Sequence, residues 1–118
     1  MEYSIKEAAQ MLNIPVSTIR YYDKEGLLPS LERKSSGYRA FSEGDIETLK
    51  IVLWLKKAHM PLKEIARFIQ LLKEGDASLR QRLELFERRR QAMERQLSED
   101  QAVLDFINYK YIVLFLFF

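Results

Sequence analysis

No cysteine occurs among the 118 residues, which removes disulfides, thiolate metal ligands and thiol redox sensing together. Histidine is nearly as scarce. With His59 alone, neither a histidine metal cage nor a catalytic imidazole with a spare can be assembled. No phosphate-cradling glycine loop and no recognisable nucleophile are present either, so an enzyme is not expected and no metal or other cofactor is implied. The N-terminus lacks a basic region followed by an apolar run, so no signal peptide is expected and the cytoplasm is the expected location. The longest apolar run, residues 111–118, falls well short of the ~20 residues that a membrane-crossing helix needs. A net charge of +2 with a pI near 8.9 is too mild to indicate nucleic acid by itself. The distribution of charge carries more information than its sum.

What is present begins with two short helices. Ser4 and Glu7 form a capping box that opens the first, and Ile5, Ala8, Ala9 and Leu12 give it one apolar face. Asn13-Ile14-Pro15 breaks it: asparagine tolerates a left-handed turn residue, and proline suits the start of a helix. The second helix turns Val16 and Ile19 inward and stops at Gly26. Ser17, Thr18, Arg20 and Tyr21 are left on its outer side, with Tyr22 partly buried. A polar stretch around Glu32 to Gly37 reads as the turn of a β-hairpin with strands near 31–33 and 38–41.

Ser42 and Asp45 open a third helix to about Lys57, with Ile46, Leu49, Val52 and Leu53 inward and Trp54 assigned to the core. Ala58-His59-Met60 is a short link in which His59 has no special role. Pro61 starts a fourth helix that uses Leu62, Ile65, Ala66, Ile69 and Leu72 and ends at Gly75. From Ala77 the period changes. Leu79, Leu83, Phe86, Arg90, Met93, Leu97, Asp100, Leu104 and Ile107 alternate by four and three residues, the seam of a coiled coil. Antiparallel pairing about Arg95 sets Met93 against Leu97, Phe86 against Leu104, Leu83 against Ile107 and Arg90 against Asp100 of a second copy. A parallel pair would stack like charges instead, so a homodimer with antiparallel helices is expected. The Arg88-Arg89-Arg90 run belongs to that coiled-coil surface. Three readings of the apolar residues 111–118 stay open: packing on a partner subunit, a membrane-touching tail, or a terminus altered from its ancestral sequence.

The strings Ile5-Lys6-Glu7-Ala8-Ala9, Ile19-Arg20-Tyr21-Tyr22-Asp23-Lys24-Glu25-Gly26-Leu27-Leu28-Pro29 and Gly37-Tyr38-Arg39, followed by Asp45-Ile46 and Met60-Pro61-Leu62-Lys63-Glu64-Ile65, resemble the MerR family of bacterial transcription regulators. The likeness covers about residues 2–75 closely and the long helix generically. It implies a mainly α fold: residues 1–75 a winged helix-turn-helix DNA-binding domain with a β-hairpin wing and a second helix pair, residues 76–110 a coiled-coil dimerisation helix, residues 111–118 an apolar tail. The expected function is a sequence-specific transcription regulator that binds a pseudo-palindromic promoter spacer as a homodimer and distorts it. RNA polymerase would be a further partner and the effector is unspecified. No appended ligand-binding domain is recognised. DNA-contact candidates are Ser17, Thr18, Arg20, Tyr21 and Tyr22 on the second helix, Arg33, Lys34, Tyr38 and Arg39 on the hairpin, and Lys56 at the end of the third helix. The alternative is a coiled-coil interaction adaptor or an architectural, excisionase-like DNA-binding protein without effector control.

Overall fold

The structure is a computed structural model that describes residues 1–29, 32–33 and 39–118, without the side chains of Glu32, Arg33 and Arg39. The candidates Lys34 and Tyr38 lie outside the described residues. The chain divides into two compact units, Met1–Arg82 and Leu83–Phe118.

The first unit contains α1 (Ile5–Leu12), α2 (Val16–Lys24), β1 (Glu32–Arg33), β2 (Arg39–Ala40), α3 (Glu43–Lys57), α4 (Leu62–Lys73), a 3-10 turn (Gly75–Ser78) and the first turn of α5 (Leu79–Phe117). Two of its helices begin with reciprocal caps. The Ser4 hydroxyl accepts the Glu7 N–H at 3.1 Å while the Glu7 carboxylate accepts the Ser4 N–H at 2.8 Å. Ser42 and Asp45 repeat the arrangement at 3.1 and 2.9 Å. Such a cap satisfies two of the donors that a helix start otherwise leaves orphaned. Pro15 and Pro61 each stand just before their helix, in extended conformation, where a missing N–H costs nothing.

Three helix ends share one device. Asn13, Gly26 and His59 adopt left-handed φ values of 54°, 81° and 60°. The next residue's N–H then reaches back across the last turn: Ile14 to the Ala9 carbonyl, Leu27 to Tyr22 and Met60 to Leu55, at 3.0 to 3.1 Å. The expected roles of Asn13 and Gly26 are those observed; His59 is an addition. Its N–H donates to the Lys56 carbonyl at 3.0 Å, and the turn delivers Met60 into the core. A left-handed L-residue costs about 1–2 kcal/mol, part of which glycine recovers. His59→Gly is therefore expected to stabilise the protein by about 0.5–1 kcal/mol, read as a higher urea midpoint at unchanged slope; a lower midpoint would contradict the strain argument.

Ala8, Ala9, Ile19, Tyr22, Leu27, Leu28, Phe41, Ile46, Leu49, Val52, Leu55, Met60, Ile65, Phe68, Ile69 and Leu71 form the core. Phe41 is held by paired main-chain bonds with Tyr3, both 2.8 Å. The Tyr3 hydroxyl donates to the Glu43 carboxylate, a bond that raises the Tyr3 pKa and fastens this bridge to the start of α3.

One core assignment is corrected. Trp54 is 70% exposed, and Leu55, not Trp54, enters the core. The buried apolar residues of α3 recur every third position (Ile46, Leu49, Val52, Leu55). At about 100° per residue that stripe drifts around the helix, and Trp54 falls about 180° from its centre. Leu53 is half-buried at the stripe's edge. On α4, Phe68 and Leu71 join the core beside Ile65 and Ile69, while Leu62, Ala66 and Leu72 are half-buried.

The second unit is the remainder of α5, a 39-residue helix in all. It runs without interruption past position 110 to Phe117, so the apolar tail is helical. Leu83, Phe86, Met93, Leu97, Leu104 and Ile107 are exposed along it, as is Leu79 in the first turn. Arg90 pairs with Glu87 and Glu94 at 3.5 and 3.0 Å, and Asp100 accepts the Gln96 amide at 2.9 Å. No helix among the described residues is long and apolar enough to cross a membrane.

Candidate nucleic-acid interface

The turn at Asn13 sets α2 against α1 by burying Ile19 and Tyr22 on one side of α2. The other side is then fixed by the helical period. Ser17, Arg20 and Tyr21 are exposed and Thr18 is half-buried. Five of the ten expected contact residues therefore sit on one nine-residue helix, four of them with accessible side chains. Tyr22 is the exception, only 6% exposed. Its burial pushes the phenol pKa up, so it stays protonated. The ring lies 5.9 Å from that of Tyr21, tilted by 50°, and backs the exposed tyrosine. Tyr21, at 47% exposure, thus stands beside a buried ring.

Among the described residues no side chain caps the start of α2. Helix N-termini left in this way present N–H groups suited to phosphate. Beyond α2, β1 pairs antiparallel with β2 in a register that sets Arg33 opposite Arg39 and Glu32 opposite Ala40. That register concentrates two cationic residues at one step of the hairpin.

Lys56 and Lys57 close α3, where cations suit the carbonyl end of the helix. Lys56 is exposed. The Lys57 ammonium stands 4.8 Å from the centroid of the Trp54 ring. Trp54 and Lys57 are three positions apart, a spacing that brings side chains together on a helix. Among the described residues no three His, Asp or Glu side chains are grouped as metal ligands would be.

An exposed face of polar, cationic and phenolic side chains on the second helix of a helix-turn-helix, followed by a cationic hairpin, defines a DNA-binding class of domain. The chain belongs to the MerR family: residues 3–72 match the family described as MerR HTH family regulatory protein. An HTH-type transcriptional regulator of Haemophilus influenzae is 38% identical over 110 residues, which cover 93% of this chain and 82% of that protein. The crystal structure of HiNmlR, a MerR family regulator lacking the sensor domain and bound to promoter DNA, is similar with a TM-score of 0.81 and 38% identity, covering 93% of this chain and 87% of that one. A MerR family transcriptional regulator from Bacillus thuringiensis gives a TM-score of 0.81 at 35% identity, over 93% of this chain and 96% of its own.

Proposed function

We propose that the protein is a homodimeric transcription regulator that binds a pseudo-palindromic site in the spacer between promoter elements and bends and untwists it. The observation that carries this reading is the pairing of two exposed surfaces on one chain. One is the face of α2 with Ser17, Arg20 and Tyr21; the other is the apolar stripe along α5 from Leu79 to Ile107. A helix of this length with such a stripe needs a second helix to cover it. Two identical subunits in turn demand a two-fold related pair of half-sites.

In this reading α2 lies in the major groove, with Arg20 directed at a base edge and Ser17, Thr18 and Tyr21 at the backbone. Arg33, Lys34, Tyr38 and Arg39 form the wing, Arg39 against a phosphate or in the minor groove, and Lys56 holds a further phosphate. The antiparallel register sets Arg90 against Asp100 of the other copy. Their present partners on the same helix are exposed, and such pairs are weak enough to exchange. That HiNmlR is bound to promoter DNA supports the regulator over the adaptor. Distortion of the spacer makes the flexibility of uncontacted base steps part of recognition. RNA polymerase would read the distorted promoter.

The test is selection of bound duplexes from a random pool with the purified full chain, followed by transcription in vitro from the promoter so identified. One palindromic site between promoter elements, with transcription altered by the protein, is the expected result. Equal affinity for every duplex overturns the reading.

A further inference from the structure

Among the described residues Asp45 is the one charged side chain that is buried, at 5% exposure. The cap at the start of α3 accounts for part of it, since Oδ2 accepts the Ser42 N–H at 2.9 Å. A carboxylate has about four acceptor positions, so a single N–H leaves it capacity for a further donor. The same side chain borders a cavity of about 170 Å³, whose lining is completed by Leu28, Pro29, Thr48, Ile69, Leu72 and Lys73. All of them belong to the unit Met1–Arg82. Helical spacing explains the grouping. Asp45 and Thr48 are three apart on α3, and Ile69, Leu72 and Lys73 are spaced by three and four on α4, so each helix gives the cavity one face. The left-handed turn at Gly26 is followed by Leu27 and Leu28 in the core, and Leu28 with Pro29 supplies the remaining side. Leu28, Asp45 and Ile69 are buried, Thr48 and Leu72 half-buried, Pro29 and Lys73 exposed. The cavity therefore runs from a closed floor to an open rim.

Its size is that of one ring, since a cavity of about 150 Å³ lined by apolar side chains holds benzene. The walls select further. The Asp45 carboxylate disfavours an anion, and the Lys73 ammonium disfavours a cation. We propose that the cavity binds a neutral molecule with a single aromatic ring and one O–H or N–H donor. The ring lies against Leu28, Ile69 and Leu72, and the donor meets the Asp45 carboxylate. A hydrogen bond to an ionised group is about twice as strong as one between neutral groups, and the buried position of Asp45 strengthens it again. The site places a small molecule in the same unit as α2. It stands apart from the DNA reading, because none of the residues that line it is a DNA-contact candidate.

The test is titration of the isotope-labelled full chain with phenol, without DNA, followed through amide chemical shifts. Phenol is expected to saturate with a Kd of about 1 mM, ordinary for a ligand of this size. Its shifts should centre on Leu28, Asp45, Thr48, Ile69 and Leu72. Anisole keeps the ring and loses the donor, and it should bind at least ~10-fold more weakly, the scale of one hydrogen bond to a charged group. Benzoate and benzylammonium should both be weaker than phenol. Leu72→Trp puts an indole into the space and should abolish phenol binding in a folded protein; if it fails to fold, Thr48→Tyr fills the cavity from α3. Absence of saturable shifts up to ~20 mM phenol overturns the inference. So does anisole or either ion binding as tightly as phenol, or phenol binding that persists in a folded variant with the cavity filled.

Discussion

Met93→Glu/Leu97→Glu protein is expected to sediment as a monomer at micromolar concentration and to bind its selected duplex at least ~100-fold more weakly, the order of avidity that linking two sites supplies. Both side chains are exposed on α5, Leu97 by 72%. In antiparallel pairing about Arg95 each would meet the other across the dyad. A buried leucine or methionine contributes about 1.5–3 kcal/mol, and four are replaced per dimer, so roughly 6–12 kcal/mol is removed before any charge is desolvated. Four carboxylates brought together at the dyad add repulsion. Glutamate is a good helix former, so α5 itself should persist, and the substitutions lie outside the unit that carries α1 to α4. Circular dichroism near that of wild type is therefore part of the expected result. Ala102→Glu, off the stripe, introduces a charge of the same sign and should leave the protein dimeric. A double variant that remains dimeric would place the subunit interface elsewhere and remove the basis for the two-fold operator.

The terminators and caps were legible because their chemistry is local. Ser4 with Glu7 and Ser42 with Asp45 announce helix starts through atoms three residues apart, and Asn13 and Gly26 announce ends through backbone conformation. All four are observed. His59 was illegible for the same reason in reverse. A left-handed φ is uncommon for any residue but glycine, although histidine adopts it more often than most; His59 takes it at the turn that precedes the buried Met60. Trp54 shows where residue type misleads: a large aromatic reads as core, while the helical period of the buried stripe turns it outward. The tail from Tyr111 onward had strand-like composition. It is helical as the continuation of a long α5, since adding residues to an existing helix is far easier than starting one. On α2 the outward placement of Ser17, Arg20 and Tyr21 was readable from the helical period, and Tyr22, expected to be partly buried, is almost wholly so.

Arg20→Ala and Arg39→Ala are expected to fail differently. Arg20 is exposed on the outer face of α2, where its guanidinium is open to a ligand. A bidentate arginine on a guanine edge discriminates by about 1–3 kcal/mol, or roughly 5- to 150-fold per half-site. The dimer carries two copies, so loss of Arg20 should cost about 2–6 kcal/mol on a full site, and preference should collapse at one symmetric pair of positions. Arg39, on β2 opposite Arg33, is expected to meet phosphate. Its removal should lower affinity on all sequences alike and reduce the slope of log affinity against log salt by about one unit for each phosphate no longer neutralised. The two outcomes are separable on one set of duplexes measured at several salt concentrations. A changed salt slope for Arg20→Ala without a change in base preference would reassign it to the backbone. A sequence-dependent loss for Arg39→Ala would instead put the hairpin in a groove, where it reads bases or the width of the minor groove.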